Sequence, residues 1–257
     1  MCGRYTLATP VAEMSRMFGF PELPNLPARY NIAPTQDVAV VRWLEEEKRR
    51  ELALLRWGLV PHWADDPGIG SRMINARSES VVEKPSFRTA FARRRCLVVA
   101  DGFYEWRQHA PKGTPKDAKK QPFRIRRHDH KPFALAGLWE TWKGPKGGEP
   151  LDKPLETVTI VTTTANAVLK PLHDRMPVIL SADDYAEWLD PATSVEAAER
   201  LLRPCPEDWL EAYPVSTRVN SVRNDDASLV EPVAIPGEGE APAAETGKKT
   251  ERQASLF

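Results

Sequence analysis

Short runs rich in β-branched and aromatic residues alternate along this chain with proline-containing and charged stretches. That pattern predicts many strands and few long helices. Val38–Trp43 and Leu52–Trp57 read as a hairpin across the charged turn Glu45–Arg50. Cys96–Ala100, Phe103–Arg107, Phe123–Arg126, Phe133–Trp139 and Thr157–Thr163 read as further strands. Short helices are expected around them. One runs from Pro10 to Phe18, with Thr9 as N-cap and Pro10 at the first helical position. Ser86–Arg94 reads as a second, and Arg93, Arg94 and Arg95 suit its negative end. Ser181 and Ser194 are expected to cap two acidic helices, Ala182–Leu189 and Val195–Leu202.

No stretch of linker composition interrupts residues 1–233. The expectation is therefore one α+β domain built on an antiparallel, barrel-like β-sheet with short peripheral helices. Residues 234–257, with the segment PGEGEAPAAETGKKTERQ, are polar, rich in Pro, Gly and Ala and without periodicity. They are expected to be a disordered tail. Lys112–Gln121 is expected to be a loop inserted between two strands.

Composition narrows the classes further. Apolar residues make up 41% of 257, enough for a sizeable core, and no apolar run approaches the roughly 20 residues of a membrane helix. The start MCGRYTLATP lacks the basic and apolar regions of a signal peptide, so a cytoplasmic protein is expected. Cys2, Cys96 and Cys205 lie far apart, which argues against both a disulfide framework and a structural zinc site. His128 and His130 beside Arg126 and Arg127 read as a solvated turn; no metal and no cofactor is expected. Net charge is zero, yet residues 1–150 hold 26 Lys/Arg against 17 Asp/Glu, and residues 151–257 hold 10 against 19. A neutral chain with that asymmetry can carry a basic face, or simply charged loops.

Cys2 is the first residue with distinctive chemistry. Removal of Met1 would leave a cysteine bearing both a thiol and an α-amine, whose reference pKa values of about 8.5 and 7.7–8.0 give each a reactive fraction near neutrality. A 1,2-aminothiol condenses with an aldehyde through its amine and then closes a five-membered thiazolidine ring through sulfur. The same thiol could instead attack an amide, or Cys2 could be an incidental small apolar residue.

The strings MCGRYTL, ARYNIAP (28–34), WGLVPHWA (57–64), NARSES (75–80), RCLVVADGFYEW (95–106) and HDRMPVIL (173–180) occur in that order. Together they resemble the SOS response-associated peptidase family, also called abasic-site processing proteins. The resemblance implies that Cys2 is the nucleophile and that Asn75 orients the N-terminal cysteine and the opened sugar. It implies that Glu105 and His173 complete the catalytic set, with Arg77, Arg175 and Arg4 on DNA phosphates. The implied function is DNA repair. Abasic sites in single-stranded DNA would be sensed and bonded covalently through Cys2 after Met1 is removed, a cut of the peptidase type made by the protein itself, with strand cleavage of the lyase type as a possible sequel. A monomer, associated with the nucleoid when bound to DNA, is expected.

The residues make chemical sense on their own terms. Schiff-base formation needs an acid for the departing hydroxyl and a base to relay protons, the work of carboxylate and imidazole. Glu105, between Tyr104 and Trp106 on an apolar strand, would have its pKa raised by burial, or would face outward from a half-exposed sheet. His173 reads either as a proton relay or as a loop histidine beside Asp174 and Arg175. Asn75 and Arg77, two apart on an extended segment, would point the same way. Among the tryptophans, Trp63 and Trp106 are the first candidates for stacking on bases.

Two other classes compete. Glutamine amidotransferases of the N-terminal-nucleophile type also begin Met-Cys-Gly, but an apolar strand follows there, whereas Arg4 and Tyr5 follow here. A non-catalytic single-strand-binding module would leave Cys2 idle. The last five residues, through Gln253, Leu256 and Phe257, resemble the pentapeptide that docks on the bacterial sliding clamp, with Ala254 where Leu is preferred.

Overall fold

The computed structural model describes residues 2–107 and 120–235. Most of the expected loop at Lys112–Gln121 lies outside them, as do residues 236–257 with Gln253, Leu256 and Phe257. In chain order the elements are β1 (Tyr5–Leu7), α1 (Val11–Phe18), β2 (Arg29–Ile32), β3 (Asp37–Leu44), β4 (Arg49–Trp57), β5 (Asn75–Arg77) and α2 (Arg88–Arg93). There follow β6 (Arg95–Ala100), β7 (Gly102–Trp106), β8 (Pro122–Arg127), β9 (Phe133–Trp142), β10 (Leu155–Thr164), β11 (Arg175–Pro177) and β12 (Ile179–Leu180). The chain continues through α3 (Tyr185–Leu189), α4 (Val195–Arg200) and β13 (Leu210–Pro214).

The expected α+β architecture is present. Strands β10, β4, β3, β6 and β9 pair in that order, and β9 pairs back onto β10, closing a barrel. Its pairings are antiparallel except β4 on β10. A second, antiparallel sheet runs β13-β8-β7-β1-β2. The sequence RCLVVA of β6 is buried at every position, the continuous apolar pattern of a strand covered on both faces. Trp188 of α3 supplies one cover, donating its indole N–H to the Cys96 carbonyl at 2.9 Å and meeting Phe91 edge-on.

The expected hairpin forms, with a shorter turn because Arg49 and Arg50 already pair with Leu44 and Trp43. Two helical expectations need correction. The N-cap of α1 is Pro10, not Thr9. The Asp101 carboxylate takes the Thr9 hydroxyl at 3.2 Å and the Thr9 amide at 3.0 Å, so that side chain is committed to the sheet instead. Helix α2 begins at Arg88 rather than Ser86. Ser181 and Ser194 do accept backbone N–H groups, but Ser181 caps a 3-10 turn that leads into α3. No helix among the described residues is long and apolar enough to cross a membrane.

Candidate active site

The register of β1 on β7 brings the start of the chain to the acid. Tyr5 lies opposite Phe103, and Tyr104 donates its backbone N–H to the Arg4 carbonyl at 2.9 Å. Continued by two residues, that pairing carries Cys2 alongside the Glu105–Trp106 end of β7. Phe103 belongs to the main core, and alternation puts Glu105 on the same face. Glu105 is accordingly 3% exposed, which removes the outward-facing reading. Burial pushes its carboxyl above the usual carboxylate range. Cys2 is fully buried, and burial together with the nearby Glu105 charge pushes its thiol up to about 12.

Asn75 reaches the same point from the barrel. Its side-chain amide donates to the Cys2 carbonyl at 2.8 Å, while its Oδ1 is buried with no hydrogen-bond partner among the described residues. The peptide leading to it is clamped. Leu59 donates to the Met73 carbonyl at 3.1 Å, the Trp57 indole to the Ile74 carbonyl at 2.9 Å, and Ile160 to the same carbonyl at 3.1 Å. Gly58 makes the clamp possible: at φ +125° it passes so close to Gly70 that a Cβ would lie 2.6 Å from the Gly70 carbonyl oxygen. Strand β5 then pairs in parallel on β10, with Asn75 opposite Ile160 and Arg77 opposite Thr162.

His173 sits in the turn before β11, half-buried, with its Nδ1 accepting the Arg175 backbone N–H at 2.9 Å. That bond fixes the neutral tautomer with the proton on Nε2. Desolvation holds the imidazole below its ordinary pKa. A carboxyl biased toward protonation thus lies beside Cys2, and a neutral imidazole stands just before β11.

The arginines divide. Arg77 is exposed and makes no ion pair among the described residues. Arg175 is engaged by both oxygens of Glu79, one at 3.0 Å, and donates to the Thr162 carbonyl at 2.6 Å. Arg4 turns inward, donating to Asn31 Oδ1 at 2.7 Å and the Val219 carbonyl at 2.8 Å. Its guanidinium also lies 5.9 Å from the Trp106 ring centroid. Trp106 is half-buried, its indole N–H held by Asn220 at 2.7 Å. Trp63 is 41% exposed on a loop tied to Trp142, far along β10 from Asn75. The other candidate cluster, His128 and His130, falls in a turn where both rings face Glu211. The described residues contain no group of His, Cys, Asp and Glu arranged to hold a metal.

Three supporting residues escape the sequence reading. Asn31 is buried and donates to the carbonyls of Ser221 and Asn224 while accepting from Arg4, which pins residues 217–225 against the β1–β2 edge. Asp101 ties β1 to β7 by accepting from Thr6, Ala8 and Thr9. Glu79 holds Arg175. The signal available for Asn31 and Asp101 is a small polar residue inside an otherwise apolar strand segment.

Comparison with known proteins identifies the family. The model of the family "SOS response associated peptidase (SRAP)" matches residues 1–222. The chain is 42% identical over 236 residues to the abasic site processing protein YoqW of Bacillus subtilis, covering 90% of this chain and 99% of that protein. It is 31% identical over 245 residues to the abasic site processing protein YedK of Escherichia coli, covering 91% and 100%. Among solved structures, a phage-related protein from Bordetella bronchiseptica superposes with a TM-score of 0.64 at 32% identity, covering 83% of this chain and 94% of that one. This chain belongs to the SOS response associated peptidase family.

Proposed function

We propose that this protein processes abasic sites in single-stranded DNA by bonding covalently to them through Cys2, once Met1 has been removed. The observation that carries the reading is the meeting of Cys2, Asn75 and Glu105 at the start of the chain, in a family whose relatives are named for abasic-site processing. Their names support that coarse assignment; the chemistry that follows is argued from the residues.

An abasic deoxyribose in its open form presents an aldehyde. The free Cys2 amine adds to that carbon, and loss of the resulting hydroxyl as water gives an imine. Glu105, held partly protonated by burial, donates the proton that lets the hydroxyl leave. The Cys2 sulfur then adds to the imine carbon, and its proton passes to the ring nitrogen, closing a thiazolidine. Burial keeps the thiol protonated, so the amine acts first. His173, neutral and presenting its Nε2 proton, relays protons between the sugar hydroxyls and the site. Asn75 holds the Cys2 carbonyl with its amide, leaving Oδ1 to accept from the amine or a sugar hydroxyl. Arg77 and Arg175 meet backbone phosphates without reading sequence. Trp106, with Arg4 and Asn220 fixing it, offers a stacking face, and Trp63 extends the candidate surface. Removal of Met1 is assigned to the protein itself, with Cys2 as nucleophile.

Single-stranded DNA carrying one abasic site, incubated with the purified protein and run on a denaturing gel, tests the reading. A slow-migrating, heat-stable species is expected from the wild type and not from Cys2→Ala, whose non-covalent binding should persist. Full adduct yield from Cys2→Ala would end the assignment. We further propose that Gln253, Leu256 and Phe257 dock on the replication sliding clamp. A peptide of the last twelve or so residues, titrated against the clamp, should show saturable binding that is lost when Leu256 and Phe257 become Ala.

A further inference from the structure

Arg175 and Arg77 flank one carboxylate. Strands β5 and β11 both pair with β10, with Arg77 opposite Thr162 and Arg175 opposite Thr164. Glu79, two residues beyond Arg77, places both carboxylate oxygens on the Arg175 guanidinium. The same Arg175 nitrogen is anchored from behind by the Thr162 carbonyl at 2.6 Å and by the Thr162 hydroxyl at 3.3 Å. Arg77 is close enough for its charge to act on Glu79. The arrangement is an anion site: a guanidinium fixed by backbone carries an oxyanion, and a second, exposed guanidinium acts on it by charge.

The occupant is not firmly held. The Glu79 side chain is 51% exposed, whereas that of Arg175 is 14% exposed. Beside Glu79 lies an open hollow of about 470 Å³ bordered by Ser78, Leu202, the exposed Arg200 and two further carboxylates, Glu196 and Glu199. The guanidinium is thus the built part of the site. The carboxylate is the part with room to leave. A phosphodiester presents the same two-oxygen face to arginine as a carboxylate does.

We infer that Glu79 is an internal stand-in for a DNA phosphate, occupying the Arg77–Arg175 site in the free protein and giving it up when a phosphodiester of single-stranded DNA takes its place. The inference rests on the proposed DNA-binding reading and deepens it. The displaced carboxylate turns out into solvent, which its exposure already allows. Until then it keeps the Arg175 guanidinium extended over β10 and discourages weaker anions, so the protein is a poorer general anion binder than its arginines would otherwise make it.

The test is binding of full-length wild type, Glu79→Gln, Arg77→Ala and Arg175→Ala to an end-labelled fluorescent single strand lacking any abasic lesion, followed across a salt series by fluorescence anisotropy. Glu79→Gln should bind about twofold to fivefold more tightly at low salt, the range that loss of one competing exposed ion pair supports. Its log–log salt slope should stay near the wild-type value, because the same phosphate contact is made in both complexes, whereas loss of Arg175 should lower it by about 0.7. Unchanged binding, or weakening in Glu79→Gln like that of Arg175→Ala, overturns the inference, the latter by showing that Glu79 only holds Arg175 in its working position. If Arg77→Ala and Arg175→Ala both leave affinity and slope untouched, the DNA-binding reading itself has failed at these residues. A circular-dichroism melt of each variant confirms that folded protein is being compared.

Discussion

The side-chain amide of Asn75 donates to the main-chain carbonyl of Cys2 at 2.8 Å, joining the barrel to the first residues of the chain. The two strands involved belong to different sheets, β5 on β10 and β1 between β7 and β2. Among the described residues this is the one hydrogen bond to the Cys2 carbonyl. Asn75→Ala should therefore slow adduct formation by about fivefold to tenfold, the value of one hydrogen bond of about 1 to 1.5 kcal/mol. Asn75→Asp should be worse, because a carboxylate cannot donate and repels the carbonyl oxygen. Single-turnover rates with an abasic oligonucleotide measure both. Equal rates for Asn75→Asp and wild type would show that this contact is irrelevant to the chemistry.

Placement of Asn75 depends in turn on two glycines. A Cβ on Gly58 would meet the Gly70 carbonyl oxygen at 2.6 Å, and one on Gly70 would meet the Gly58 oxygen at 2.5 Å. Gly58→Ala adds that clash to a φ of +125° and should cost about 2 kcal/mol or more. In a chain of this length, that is a fall in Tm of roughly 4–8 °C. Gly147 has φ +78° and open space around it, so Gly147→Ala should cost only the conformational strain, about 1 kcal/mol. Adduct formation at a temperature where both variants are folded should fall in Gly58→Ala alone. Thermal melts and rates in parallel separate the two effects.

The barrel was legible in the chain because its strands are long, apolar and separated by clear turns: β3 and β4 flank a run of charge, and β6 has no polar position except Arg95. Helix starts were less legible. Thr9 and Pro10 carry ordinary capping signals, yet Asp101, more than ninety residues away, takes the Thr9 side chain, and no local pattern announces a competitor that distant. The four candidate catalytic residues came from ordered strings resembling a family, and strand alternation then settled which way Glu105 faces. What the sequence could not reveal is engagement. Arg4, Arg77 and Arg175 look alike in the strings, but one is turned inward, one is unpaired among the described residues, and one is held by Glu79. Guanidinium partners are set by tertiary neighbours, not by spacing.

Burial of Glu105 has a consequence for stability. Its carboxyl titrates above the ordinary value of about 4.3 in the folded chain and at that value in the unfolded one. The folded state therefore holds the proton to higher pH. The associated stability is present below the unfolded pKa and is lost as pH rises through the raised folded value. At neutral pH, Glu105→Gln should melt above wild type, because it removes the charge that burial disfavours. The gap should close as pH falls toward 4. A variant that melts below wild type at every pH would mean that the ionised carboxylate is stabilised by its partners more than burial opposes it.

The same shift, set against that of His173, predicts the pH dependence of the reaction. An ordinary carboxyl near 4.3 and an ordinary imidazole near 6.5 are rarely found, at any single pH, with the acid protonated and the base neutral. Burial moves Glu105 up. Desolvation moves His173 down. In addition, the Arg175 N–H on Nδ1 opposes a second ring proton. Both movements enlarge the fraction of protein in the working form, and they place its maximum between the two shifted values. The rate of adduct formation should follow a bell with its acid limb set by His173 and its alkaline limb by Glu105. Glu105→Gln should lower the rate and flatten the alkaline limb. His173→Ala should lower it and flatten the acid limb, while affinity for undamaged single strands stays within about twofold, since neither group carries a phosphate contact. Single-turnover rates between about pH 4.5 and 9, a range that spans both ordinary values or their neighbourhood, decide it. Limbs that persist unchanged in both variants would assign the titration to the substrate or to the Cys2 amine instead, and would remove Glu105 and His173 from the proton-transfer steps.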